Sequence, residues 1–123
     1  MATLERSALL QPVLPQESVL AEALGGEVIV RGMDMEQQLR FSSMRRRLVQ
    51  PQEGETADQA AERAGGPLVP LALHWCVVLA DGQPAYSEAE WRIIGAMHPG
   101  EAISLFNAAM RLSGQNTQAE KKS

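Results

Sequence analysis

The spacing of apolar residues changes several times along the chain, and each change predicts an element. Glu27, Val28, Ile29, Val30 and Arg31 form a β-branched run bounded by Gly25-Gly26 and Gly32, which predicts a strand over 27–31. A lone strand leaves its backbone groups unpaired. It therefore requires a partner, either near residues 84–86 or in a second subunit. Asp34 followed by Gln37 predicts an N-cap and a capping box. Met35, Leu39, Phe41, Met44 and Leu48 then give a broad apolar face, predicting a helix over 35–49 that Pro51 terminates. Upstream, Leu4, Ala8 and Leu9 have loose helical spacing, but Pro12 and Pro15 stop its extension. Residues 1–15 are expected to form an arm or a short helix, and 16–24 two helical turns ended by Gly25.

The polar stretch 50–56, with Pro51 and Gly54, predicts an exposed loop. Residues 56–64 predict a short alanine-rich helix stopped by Gly65-Gly66. Pro67 or Pro70 then suits the first turn of a new helix. That helix, apolar nearly all round and running to about residue 79, is expected to be the central buried element. Asp81-Gly82 with Pro84 predicts a turn. Ser87 with Glu90 predicts a second capping box opening a helix, which Pro99-Gly100 breaks. A last helix is expected from Glu101 to Gly114, with Ile103, Phe106, Ala109 and Met110 on one face. The small polar residues 115–123 predict a disordered tail. The expected fold is mainly α: one small helical domain over 1–114, with one short β-strand or β-hairpin near the N-terminal third.

Composition agrees with this pattern. Hydrophobic residues make up 45% of the 123 residues but aromatics only 4%, so the core must be built from Leu, Val, Ala and Met. Ala and Leu favour helix. The net charge of −4 argues against a general nucleic-acid binder. Cys76 is the one cysteine, so no disulfide can form within the chain. Inside an apolar run it reads as a small hydrophobe, and a reducing cytoplasm suits it. The N-terminus lacks a secretory pattern. The longest apolar segment, 68–80, is interrupted by Pro70 and His74 and falls short of the roughly 20 residues needed to span a bilayer. A soluble protein with no membrane partner is expected.

Candidate chemistry is sparse. His74 and His98 each stand alone, without the clustered ligands of a metal site. His74 reads as a core-edge histidine with a satisfied hydrogen bond, and His98 as a complement to helix-end carbonyls. His74 and Cys76 are two residues apart and so do not share a helix face. Glu88, Glu90 and Glu101 read as first-turn charges, and neither Gly-Gly pair has a phosphate-loop pattern. No catalytic residue, metal or cofactor is expected. Arg45, Arg46 and Arg47, with Arg40 upstream, read as a solvated helix end or as ion-pair partners of an acidic surface. Met33, Met35, Met44, Met97 and Met110 read as core filling or as part of an adaptable groove for a partner helix. The candidate partner-binding residues are Met35, Leu39, Met44, Arg45, Arg46, Met97 and Met110. Self-association stays open.

One family resembles this pattern. Residues 71–114 combine an apolar helix running into Val77-Val78-Leu79-Ala80-Asp81-Gly82-Gln83-Pro84, an aromatic and hydroxyl cap at Tyr86 and Ser87, an acidic helix, and the helix Ala102-Ile103-Ser104-Leu105-Phe106-Asn107-Ala108-Ala109-Met110-Arg111-Leu112. With Glu27-Val28-Ile29-Val30-Arg31-Gly32-Met33-Asp34 upstream, this resembles the tail assembly chaperones of long, non-contractile-tailed bacteriophages, the group of the lambda G protein. Residues 1–25 and 50–66 carry no matching feature. The resemblance implies a non-enzymatic protein of the infected host bacterial cytoplasm, absent from the mature virion. It would coat the tape measure protein and help recruit the tail tube protein. It also implies a longer −1 frameshifted form in many relatives. Glu120, Lys121 and Lys122 suit a slippery heptamer, since A-AAA-AAG encodes Lys-Lys after a codon ending in A and GAA encodes Glu. The plain alternative for these residues is a solubilising tail. A minor structural tail protein of the virion and a small nucleic-acid-binding regulator are the competing readings.

Overall fold

The computed structural model describes residues 14–114. Over these the chain runs β1 (Gln16–Ala21), a 3-10 turn (Glu22–Leu24), β2 (Gly26–Arg31), α1 (Met35–Leu48), α2 (Ala57–Cys76), β3 (Val77–Val78), α3 (Glu88–Met97) and α4 (Pro99–Leu112). The architecture is four α-helices with a small antiparallel sheet of order β1-β2-β3, mixed α/β rather than purely helical. Where one short strand or a hairpin is expected, the chain forms a hairpin of β1 and β2, and β3 joins it as a third strand. The expected arm lies almost wholly outside the described residues, and the expected tail entirely so.

The two helical turns expected over 16–24 are instead a strand and a tight turn. Gln16, Ser18 and Leu20 are exposed, while Glu17, Val19 and Ala21 face inward, the alternation of a half-buried strand. β1 pairs with β2 from Gln16↔Arg31 to Ala21↔Gly26. Gly25 closes the turn at φ 88°, and its N–H donates to the Glu22 carbonyl at 3.0 Å. The demand for a strand partner is thus met within the chain, by the residues just upstream. Val77 and Val78 cover the other edge of β2, opposite Val30 and Ile29. The segment 84–86 expected as a partner does not pair with β2; its Pro84 bridges Val78 instead.

The two helices expected to meet at Gly65-Gly66 are one. α2 runs unbroken through Gly65, Gly66, Pro67 and Pro70. A proline within a helix removes one donor and crowds the preceding residue. Gly66, lacking a Cβ, relieves part of the crowding before Pro67. Burial supplies the rest: Ala60, Ala64, Leu68, Ala72, Leu73 and Cys76 lie along one side of α2 in the core. The helix stops at Cys76 instead of residue 79 because Val77 and Val78 leave it to pair with β2. The loop after them closes as expected, with Gly82 at φ 85° and Asp81 Oδ1 accepting from the Gln83 N–H at 3.0 Å.

The capping boxes at Asp34/Gln37 and Ser87/Glu90 are both formed. A third, at Thr56/Gln59, opens α2. α4 starts at Pro99, two residues before the expected Glu101, since proline suits a first helical position. Its buried side is Ala102, Leu105 and Ala109, so the expected face is turned by about one residue. Ile103 is exposed, and Phe106 and Met110 are half-buried.

The C-terminal end of α4 is fastened to the end of β2. The buried Ser113 hydroxyl accepts from the Met33 N–H at 2.8 Å and donates to the Ala109 carbonyl at 2.7 Å. Beside it, a Cβ placed on Gly32 would lie 2.6 Å from the Leu112 carbonyl oxygen. Gly32 is therefore required by a close backbone approach. Gly32→Ala is expected to destabilise the fold by about 1–3 kcal/mol through overpacking. Ser113→Ala should do so by a similar 1–3 kcal/mol through the orphaned Met33 N–H. Urea unfolding followed by circular dichroism measures both.

Candidate functional site

α1 and α4 both pack on α2 and leave an open groove between them. Its floor is a stripe of small and apolar α2 residues: Ala61, Ala64, Gly65, Leu68 and Val69. One wall is Phe41, Arg45 and Val49 at the α1 side; the other is Phe106, Ala108, Met110 and Arg111 of α4. β1 contributes Glu17 and Val19. The volume is about 750 Å³. At its base the Phe41 and Phe106 rings tilt together with centroids 6.4 Å apart. Arg111 pairs with Glu17, tying α4 to the edge of the sheet.

The rotation of α4 builds this groove. Small residues, Ala102 and Ala109, let α4 approach the core, and the larger Phe106 and Met110 are left to line the opening. Ala61, Gly65 and Val69 stand at i, i+4 and i+8, so they share one face of α2. That stripe is readable only when α2 is taken as continuous.

A second, shallower hollow lies on the other side of α1. It is lined by Leu39, Arg40, Ser43, Met44 and Arg47 of α1 with Leu71 and Trp75 of α2, and its volume is about 500 Å³. The seven candidate binding residues therefore fall into separate places. Arg45 and Met110 line the first groove, and Leu39 and Met44 the second hollow. Met35 stands one turn before Leu39, 77% exposed, and Arg46 is exposed farther along α1. Met97 is on α3, 67% exposed. Met33, grouped with these methionines by sequence, is core. Glu120, Lys121 and Lys122 lie outside the described residues. Sequence reasoning missed the α2 floor, the Leu71–Trp75 wall and the role of Phe41.

The polar connection after α1 is tied to α2. Arg63 on α2 donates to Glu55 at 2.9 and 3.0 Å and to the Gln50 carbonyl at 3.1 Å. Glu55 also accepts from the Gln52 N–H at 2.9 Å. These bonds, Arg63 foremost, hold the Glu55 carboxyl down at about 2, below its ordinary 4.5.

His74, His98 and Cys76 each serve the fold. His74 Nδ1 donates to the Tyr86 carbonyl at 2.9 Å, joining α2 to the segment before α3. His98 links α3 to α4, its N–H donating to the Ile94 carbonyl at 2.7 Å. Cys76 is fully buried, and burial pushes its thiol up to about 12. Among the described residues no group of His, Cys, Asp and Glu could hold a metal ion. No described helix is long and apolar enough to cross a membrane. In comparison with known proteins, the chain matches no family model, no curated protein and no solved structure.

Two measurements check these environments. Glu55 binds its proton less readily folded than unfolded, so its contact with Arg63 is intact above pH 4.5 and weakens as pH falls towards about 2. An NMR titration of the Glu55 carboxyl should show this low midpoint, and Arg63→Gln should return it towards the ordinary range. Cys76 should resist thiol reagents in the native protein at neutral pH and react rapidly once urea unfolds it. Reaction at equal rates in both states would contradict the burial described.

Proposed function

We propose that this chain is a tail assembly chaperone of a long, non-contractile-tailed bacteriophage, shielding apolar helical stretches of the tape measure protein. The observation that carries the binding role is the open groove between α1 and α4, floored by small α2 residues and walled by Phe106 and Met110. A helix is about 10–12 Å across with its side chains, and a small-residue floor lets such a rod approach closely. An amphipathic partner helix would lay its apolar face there, with Arg45, Arg111 and Glu17 at its flanks. Each contact is weak on its own. A long partner that binds many copies gains through multivalency. The net charge of −4 helps keep a coated complex soluble.

The identification with tail assembly rests on the likeness of residues 27–34 and 71–114 to that family. In this reading the protein acts in the host bacterial cytoplasm, helps bring tail tube subunits to the coated tape measure protein, and is absent from the mature virion. A −1 frameshift at the codons of Glu120, Lys121 and Lys122 would supply a longer minor form. No bond is made or broken in this role.

Co-expression with the tape measure protein tests the reading. The wild-type chain should be captured with it and keep it soluble. Ala61→Glu, on the exposed floor of the groove, should reduce capture about tenfold, a loss of about 1.4 kcal/mol, while leaving the melting temperature nearly unchanged. Capture unaffected by Ala61→Glu would remove the groove from the interaction. No capture by the wild type, or stoichiometric protein in purified virions, would overturn the chaperone reading.

A further inference from the structure

The hollow beside α1 and the outer face of α3 are complementary surfaces of the same chain. In the hollow, Leu39 is 64% exposed, with Met44, Leu71 and Trp75 around it. Its charged lining is Arg40 and Arg47. Glu36, one turn from Arg40, is already paired with it at 2.7 Å. On α3, Ala89, Ile93 and Met97 stand at i, i+4 and i+8, an exposed apolar stripe on which Ile93 is 61% and Met97 67% open. Glu88 and Glu90 flank the start of that stripe, and Arg92 lies beside its middle. One surface is apolar with a basic rim; the other is apolar with an acidic end.

We propose that the chain self-associates head to tail, the Ile93–Met97 stripe of one copy seating in the Leu39–Trp75 hollow of the next. Charge selects this pairing over symmetric ones. Two hollows brought together would oppose arginines to arginines, and two α3 faces would oppose glutamates to glutamates. Residues 115–123 are a poor occupant of the hollow. Their side chains are nearly all polar, and Lys121 and Lys122 would meet an arginine rim. Because the two surfaces differ, each copy that docks leaves one of each kind free. Such a contact builds rings or open chains rather than closed dimers. The α1–α4 groove is not used, so assembly and partner binding are separate. The proposal does not rest on the tail-assembly reading and is tested on the chain alone.

Sedimentation velocity of the full chain over a concentration series, at low ionic strength, reads the association. The wild type should gain mass with concentration, and salt should oppose it. Arg40→Glu with Arg47→Glu makes both surfaces acidic, and Glu88→Lys with Glu90→Gln makes both basic while glutamine keeps the capping box to Ser87. Each variant alone should raise the association midpoint at least tenfold. An equimolar mixture should recover association, because acidic and basic copies then alternate. That recovery also shows that both variants are folded. A wild type that stays monomeric throughout the series would overturn the proposal. So would single variants that associate as the wild type does, or a mixture that fails to recover. A discrete dimer indifferent to the charge reversals would assign self-contact to other surfaces, such as the outer edge of β1, and would also overturn it. If residues 1–13 filled the hollow, their deletion would be needed before any association appeared, with the same consequence.

Discussion

Burial along one side of α2 is the constraint on which the molecule depends. The other three helices pack on α2, and its last residue leads directly into the strand that covers β2. Intrinsic propensity would break it near its middle, where Gly65, Gly66 and Pro67 follow one another. It persists because Ala60 and Ala64 before the break and Leu68, Ala72, Leu73 and Cys76 after it sit in one core. Interrupting the helix would rotate one half of that face away from its neighbours. Tertiary packing here overrides the local signal.

The same constraint explains what could and could not be read from the sequence. Features with a local cause were legible. Asp34 with Gln37 and Ser87 with Glu90 each satisfy helix-end donors within four residues, and both boxes are formed. The Asp81-Gly82 turn and the 27–31 strand also carry their own chemistry. Features set by distant partners were not legible. Residues 16–21 contain good helix formers, and only their pairing with β2 reveals the Glu17, Val19, Ala21 alternation. Gly32 looked like a strand terminator, whereas the backbone of Leu112 is what forbids a side chain there.

The surface followed the same division. The sequence singled out methionines and arginines as binding candidates but could not assign them to faces. Arg45 and Arg47, two residues apart, project to opposite sides of α1, one towards each hollow. In the sequence pattern Met110 shares one face of the last helix with Phe106 and reads as core or as groove. Leu105 fills the core contact of α4 between the small Ala102 and Ala109, and Phe106 and Met110 are left to line the groove. The apolar face and the buried face of α4 are not the same, and that offset creates the opening.

α1 is therefore a ridge with an apolar hollow on each flank, and its polar charges are distributed accordingly. Its buried anchor is Phe41, which meets Phe106 at the base of the groove. Its C-terminal end is held by Arg63, which bonds both Gln50 and Glu55. α1 thus presents one lined face to each hollow. A ligand in the groove would meet Arg45, and a protein in the hollow would meet Arg40 and Arg47, with no side chain shared between them. Occupancy of one hollow would leave the other sterically free, as the proposed binding of a long partner and of a neighbouring copy would require.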